Sequence, residues 1–165
     1  MTPRLSAVRD SSIGEQTGLV AELTAHFGSD GYLTAVQSTK DEIPTIWVEK
    51  DRLHEILRYI KSELTRPFPM LFDLSATDER LRRHHDGLPI GSFTVFYHLF
   101  SFERNQSLRI KVALGSEALS LPSSIDLWPN ADWYEREIFD MFGIRFDGHP
   151  FLRRLLMPSW WEGYP

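Results

Sequence analysis

The fold is decided by residues 93–114, whose sequence is FTVFYHLFSFERNQSLRIKVAL. The first part, Phe93–Phe102, is largely apolar at both odd and even positions, which predicts a central strand covered on both faces. From Leu108 to Leu114, apolar residues at every even position alternate with Arg109 and Lys111, which predicts a half-exposed strand. The polar residues 103–107 between the two runs predict the turn that joins them.

The segments before residue 93 predict two helices and three more strands. Apolar residues at helical spacing predict one helix over Gln16–Phe27 and a second that begins at a cap on Asp51 and ends at Arg66-Pro67. The three strands are Tyr32–Ser38, Thr45–Glu49 and Met70–Ala76. The first two are expected to pair as a hairpin. The predicted order is therefore α-β-β-α-β-β-β, in an α+β fold with a mixed sheet.

Beyond Pro122 the sequence shifts towards aromatic residues and paired charges. Asp132 and Glu135 have the spacing of a capping box and Gly143 is placed as a C-terminal stop, so a short helix is predicted between them. The side chains expected on its exposed face are Glu135, Arg136, Glu137 and Asp140. A tight turn at 147–150 and an extended aromatic arm should follow.

At 165 residues the chain has the length of one ordinary domain. The patterns divide it into a loose tail (1–15), an α+β core (16–128), a helix and turn (129–154) and an aromatic C-terminal arm (155–165). Its longest stretch without Asp, Glu, Lys or Arg is 16 residues. A membrane-spanning helix needs about 20 apolar residues, so no insertion into a membrane is expected.

The charge and cysteine counts exclude several classes of function. With 18 basic and 23 acidic residues the formal net charge is −5, which repels polyanions and makes nucleic acid a poor partner. The absence of cysteine excludes disulfides, thiol nucleophiles and thiolate-held zinc or iron–sulfur clusters in this chain.

Two interpretations of the acidic helix are open. Glu135, Glu137, Asp140 and His149 could supply acid–base chemistry or ligate a divalent cation, since Glu137 and Asp140 share a helical face. Alternatively, this is a solvated face on which Arg136 pairs with Asp140. The second is favoured because no further ligand type or glycine-rich cradle lies nearby. The residues therefore do not indicate a self-sufficient enzyme.

The C-terminal arm combines aromatic rings with arginine, a composition typical of interface cores. Trp160 and Trp161 follow Arg153 and Arg154 in a segment without helical or strand pattern. The rings could simply cap the domain's own sheet, but a protein interface is favoured for a segment with no periodicity of its own.

Residues 135–154, EREIFDMFGIRFDGHPFLRR, carry a family resemblance. They resemble the signature of the thirty-kilodalton subunit of respiratory complex I, which is the C subunit of bacterial NADH-quinone oxidoreductase. The likeness is greatest to the C portion of fused C/D polypeptides. The motif residues carried over are Glu135, Arg136, Glu137, Asp140, His149 and Arg153. With Arg154, Trp160 and Trp161 they are expected to fix the turn after the helix and to contact neighbouring subunits.

The resemblance implies a cofactor-free subunit of the peripheral arm of a proton-pumping enzyme, at the cytoplasmic face of the inner membrane. Its expected partners are the D subunit and the iron–sulfur subunits, while FMN, iron–sulfur clusters and quinone are bound elsewhere in the parent complex. Enzyme activity is expected only of the assembled NADH:quinone oxidoreductase. The alternatives are the equivalent subunit of a membrane-bound hydrogenase-type complex and a free-standing metal-dependent enzyme using Glu137, Asp140 and His149.

The resemblance has one departure at its end. In the family, the segment after Trp-x-Gly-x-Pro continues with Leu-Arg-Lys-Asp, whereas this sequence stops at Pro165. We expect either a fragment cut at a domain boundary or an unusually short gene product.

Overall fold

A computed structural model describes residues 18–27, 33–81, 87–117 and 119–165. The predicted tail (1–15) and the predicted starts of the first helix and first strand lie outside these residues. The elements in chain order are α1 (18–27), β1 (Leu33–Gln37), β2 (Thr45–Val48), α2 (Leu53–Ser62), β3 (Met70–Asp78), β4 (Phe93–Ser101), β5 (Gln106–Leu114), β6 (Ser120–Pro122), α3 (Ala131–Phe142) and β7 (Arg145–Asp147). The predicted α+β class and the order of its first seven elements are confirmed.

Five strands form a mixed sheet in the order β1-β2-β5-β4-β3. β1 and β2 pair antiparallel, as the predicted hairpin, while β2 runs parallel to the central strand β5. β5 and β3 then flank β4 in antiparallel register. A second sheet, which no sequence pattern predicted, consists of β6 and β7 paired in parallel.

The core lies on one face of the large sheet. The odd positions of β4 and the even positions of β5 are buried with the apolar residues of α1 and α2 in one cluster. Each fully buried Leu, Ile or Phe contributes about 1.5–3 kcal/mol. β5 is half-exposed, as predicted. The prediction that β4 is covered on both faces was wrong, because Phe96, His98 and Phe100 on its other face are only partly buried.

The predicted ends of α2 needed correction. Asp51 lies inside a 3-10 turn, Lys50–Arg52, and does not cap the helix, which begins at Leu53 without a side-chain cap. The helix stops at Ser62, before the predicted proline, because the amides of Glu63 and Leu64 both turn back to the carbonyl oxygen of Tyr59.

α3 is held against the free edge of β3 by three side-chain donors in or just before the helix. Trp128 Nε1 donates to the carbonyl oxygen of Pro69 (2.8 Å) and Asn130 Nδ2 to that of Leu71 (3.0 Å). The Tyr134 hydroxyl reaches the carbonyl oxygen of Phe72 at 3.2 Å. These bonds satisfy edge carbonyls that would otherwise be open to another strand, and they fix where α3 begins.

The predicted capping box was wrong, whereas the predicted helix stop is confirmed. α3 has no side-chain cap at its start, because Asn130 is engaged on β3 and the Glu135 carboxylate points into the core. Gly143 ends the helix in a left-handed conformation, with φ at 73°. No helix in the described ranges is long and apolar enough to cross a membrane.

Candidate functional site: α3 and the C-terminal arm

The motif residues do not form the solvated helix face that the sequence predicted. Glu135 and Asp140 have no exposed surface, and the His149 side chain is equally buried. Only Glu137 and Arg153 are exposed. The prediction placed charged groups in water by default, and it was wrong where buried hydrogen-bond donors were available to receive them.

Glu135 ties α3 to the segment after β6. Its carboxylate accepts hydrogen bonds from the hydroxyls of Ser123 (2.6 Å) and Ser124 (2.8 Å) and from the amide of Ser124 (2.7 Å). Burial raises the pKa of Glu135 above its ordinary value, and the three hydrogen bonds oppose that rise. No sequence signal identified the two serines as partners, because nothing in their spacing marks them as buried.

Asp140 ties the end of α3 to the C-terminal arm. One carboxylate oxygen accepts from three successive amides, those of Leu155 (2.9 Å), Leu156 (2.7 Å) and Met157 (2.8 Å). The other oxygen lies 2.8 Å from Arg154 Nη1. Burial alone would raise the pKa of Asp140, but the amides and the guanidinium outweigh it and hold the pKa below its ordinary value.

The predicted pair of Arg136 with Asp140 does not form. Arg136 turns the other way, where its Nη1 is 4.0 Å from the Asp132 carboxylate and its Nε donates to the carbonyl oxygen of Arg153 at 3.2 Å. Its guanidinium also lies 5.1 Å from the centre of the exposed Trp133 ring. Arg136 thus joins the first half of α3 to the start of the arm. Trp133 belongs to this site as well, although no sequence pattern predicted it.

His149 fixes the turn that follows β7. Its Nδ1 accepts a hydrogen bond from the amide of Phe151 at 3.1 Å. Its Nε2 lies 3.4 Å from both the carbonyl oxygen and a carboxylate oxygen of Asp132. An Nδ1 that accepts an amide proton leaves Nε2 as the protonated nitrogen of the neutral ring, so the imidazole bridges the turn and the start of α3.

The candidate metal-ligating set is not brought together. The Asp140 oxygens are occupied by amides and Arg154, and His149 faces Asp132. Glu137 makes no hydrogen bond or ion pair with any residue in the described part of the chain, and those residues contain no group of three acidic or histidine side chains arranged to hold a metal.

The arm folds back on α3 and does not run extended as predicted. Arg154 Nη2 donates to the carbonyl oxygen of Gly163 at 2.7 Å, and its guanidinium lies 5.2 Å from the centre of the Tyr164 ring. That ring also packs on Phe139, at 6.2 Å between ring centres. The arm has no periodicity because these contacts to α3, and not a regular backbone pattern, determine its shape.

Bulky side chains of the arm remain exposed even though its backbone is anchored. Trp160 retains 75% of its accessible surface, Leu156 59% and Trp161 39%, and the two indole rings are 6.2 Å apart. Phe151, just before the arm, is also exposed. Large apolar side chains clustered at a surface indicate a protein-binding site.

We predict that Gly143→Ala loosens the end of the arm. A Cβ at this position would lie 2.7 Å from the nearest Tyr164 ring carbon, at a φ of +73° that side chains other than glycine's rarely adopt. We expect a loss of about 1–2 kcal/mol in the free energy of unfolding. Urea unfolding followed by circular dichroism measures it, with Gly115→Ala, where a Cβ meets open space, as the control. Equal stability of the two variants would contradict the prediction.

Comparison with known proteins supports the class that the fold and this surface define, a structural subunit of a larger assembly. Residues 46–165 match the family model for the 30-kDa subunit of respiratory-chain NADH dehydrogenase. The chain belongs to that family. The predicted resemblance is thereby confirmed.

The curated relatives are fused proteins. The chain is 57% identical over 147 residues to the C/D subunit of NADH-quinone oxidoreductase from Acinetobacter baumannii (strain AYE), covering 89% of this chain and 24% of that protein. It is 59% identical over 130 residues to the protein of the same name from Psychrobacter arcticus, covering 79% and 22%. The chain thus spans about a quarter of the length of these relatives.

A solved structure has the same fold. The trypsin-resistant fragment (1–134) of Nqo5 superposes with a TM-score of 0.68 at 25% identity, over 83% of this chain and 99% of that one.

Proposed function

We propose that this chain is the C portion of an NADH-quinone oxidoreductase and acts in its peripheral arm as a scaffold without redox cofactors. On this proposal, FMN, iron–sulfur clusters and quinone are bound by other subunits, and the chain lies at the cytoplasmic face of the inner membrane. It carries no independent catalysis.

One observation carries the scaffold role. The motif carboxylates of Glu135 and Asp140 are buried and consumed by internal hydrogen bonds that fix α3 and the arm. Neither has exposed surface at which a substrate could meet it. What the arrangement presents outward instead is a set of apolar side chains, with Trp160 the most exposed of those in the arm. Groups arranged in this way support docking and do not support acid–base chemistry.

The proposed partner is the D polypeptide, together with iron–sulfur subunits of the same arm. The relatives carry C and D in one name and one polypeptide, which supports a lasting association of the two parts. The same names favour the quinone enzyme over a hydrogenase-type complex.

Co-purification tests the proposal. A tagged full-length gene product, isolated in mild detergent from its own cells, should carry the D polypeptide and the iron–sulfur subunits, either fused or bound, and the preparation should oxidise NADH. The 165-residue chain alone should show neither flavin nor iron–sulfur absorbance. NADH oxidation by the isolated chain, or recovery with a nickel-containing subunit in place of D, would contradict the proposal.

A further inference from the structure

The C-terminal arm is anchored to α3 at both ends of residues 155–163, which we term the docking loop. At the first end, three successive amides converge on one Asp140 oxygen, which forces the backbone to bend through residues 155–157. At the second end, Arg154 holds the carbonyl oxygen of Gly163 while its other nitrogen binds Asp140. A single buried carboxylate and one guanidinium therefore close the loop.

The position of Asp140 makes this arrangement informative. A negative charge in the last turn of a helix lies at the negative end of the helix dipole, where it is unfavourable. Asp140 has no exposed surface there, so water does not compensate it. Successive backbone amides that point at one anion form a concave anion-binding site, and here that site is filled by a side chain of the same protein. The loop is thus the counter-group that allows Asp140 to be buried and charged.

The loop presents its apolar side chains outward from this anchored backbone. Leu156 and Trp160 are mostly exposed, and a turn closed by the hydrogen bond from the Trp161 amide to the Pro158 carbonyl oxygen (3.0 Å) separates them. Arg153, at the base of the loop, is exposed and makes no ion pair with the residues that the structure describes. Tryptophan and arginine are among the side chains that most often dominate binding at protein interfaces.

We propose that the docking loop is preformed by Asp140 and Arg154 before any partner binds, and that it inserts Trp160 and Leu156 into an apolar hollow of the D polypeptide. This inference rests on the proposed function for the identity of the partner. A preformed loop has already lost the conformational freedom that a flexible arm would lose on binding, so its affinity is higher for the same contacts. Asp140 and Arg154 are positioning residues, and Trp160 is the contact residue.

Two measurements on the 165-residue chain separate these roles. The first is hydrogen exchange of the amides of Leu155, Leu156 and Met157, measured by NMR in the absence of any partner. The second is the affinity for the D polypeptide of the same organism. In the wild type the three amides should be protected, as amides in stable hydrogen bonds are. Asp140→Asn should lose that protection and weaken D binding about tenfold, while β4 and β5 amides stay protected.

Matched variants make the outcome specific. Trp160→Ala should keep the amides protected and still weaken binding, because it removes a contact and not an anchor. Glu137→Gln, an exposed change on the same helix, should alter neither readout. If Asp140→Asn disturbs the core, Arg154→Gln replaces it, since it releases Gly163 and leaves the three amides on Asp140. Arg154→Gln should then weaken D binding with the three amides still protected.

Two results would overturn the inference and leave the proposed function standing. One is rapid exchange of the three amides in the wild-type chain, and the other is loss of their protection in Asp140→Asn with unchanged affinity for D. Failure of the wild-type chain to bind D would instead overturn the proposed function, and the docking role of the loop with it.

Discussion

Glu135→Ala is expected to lower the free energy of unfolding by about 3 kcal/mol, because it strands buried donors. The hydroxyls of Ser123 and Ser124 and the amide of Ser124 all point at the Glu135 carboxylate, and both serines are buried. Leaving such a group without its acceptor costs about 1–3 kcal/mol, and hydroxyls that rotate to other acceptors recover part of the sum. For a chain of this length the loss corresponds to a fall of about 6–12 °C in the unfolding midpoint.

Two other substitutions on α3 calibrate this effect. Glu135→Gln keeps one acceptor oxygen in place, so it should lose less stability than the alanine variant. Glu137→Ala removes an exposed carboxylate two residues away and should change stability by no more than about 0.5 kcal/mol. Urea unfolding of the three variants beside the wild type measures the differences. A Glu135→Ala protein as stable as Glu137→Ala would show that the buried network does not hold α3.

The Glu135→Ala effect should also depend on pH in a definite direction. Burial raises the pKa of Glu135 in the folded protein above its ordinary value of 4.5, so the folded state binds the proton more tightly than the unfolded state does. The contribution of Glu135 is therefore complete below that ordinary value and declines as pH rises through the raised pKa. The stability difference between wild type and Glu135→Ala should be larger at about pH 4 than at about pH 8. A difference that grows with pH would contradict the assigned direction.

Periodic patterns predicted the elements whose burial repeats along the chain. In β5 every even position from 108 to 114 is apolar and buried, so alternation alone identified the strand and its inner face. The same held for α2, where Leu53, Ile56, Leu57 and Ile60 lie on one buried face. In both elements the side chain and its environment are related by local geometry, which a sequence pattern carries directly.

The candidate site could be located from the sequence but its chemistry could not. The signature identified the right residues, yet Glu135 and Asp140 were expected in water, because a short window contains no sign of a distant donor. Ser124 lies 11 residues before Glu135, and Leu155 lies 15 residues after Asp140. Whether a charged residue is buried depends on such non-local partners, since an unpaired buried charge would be prohibitively unfavourable.

Truncation after Met157 is expected to abolish most D binding while leaving the fold intact. It removes Trp160, Trp161 and the Tyr164 ring that packs on Gly143, but it retains Arg154 and the three amides bound to Asp140. None of the removed residues belongs to the buried core. The change in stability should therefore be about 1 kcal/mol or less, as for other surface losses.

The effect on binding should be far larger than the effect on stability. A buried interface tryptophan commonly contributes about 2 kcal/mol or more, and each 1.4 kcal/mol is about a factor of ten, so losing two tryptophans should weaken affinity about 100-fold or more. Isothermal titration of the truncated chain against the D polypeptide measures it. Truncation after Glu162 is the matched control, because it keeps both indole rings and removes only the Gly163 and Tyr164 anchor. Its affinity should fall between those of the full chain and the shorter one, since the contacts persist on a loosened loop. If the chain ending at Met157 binds D as tightly as the full chain, the exposed rings belong to some other surface contact and D docks elsewhere on the molecule.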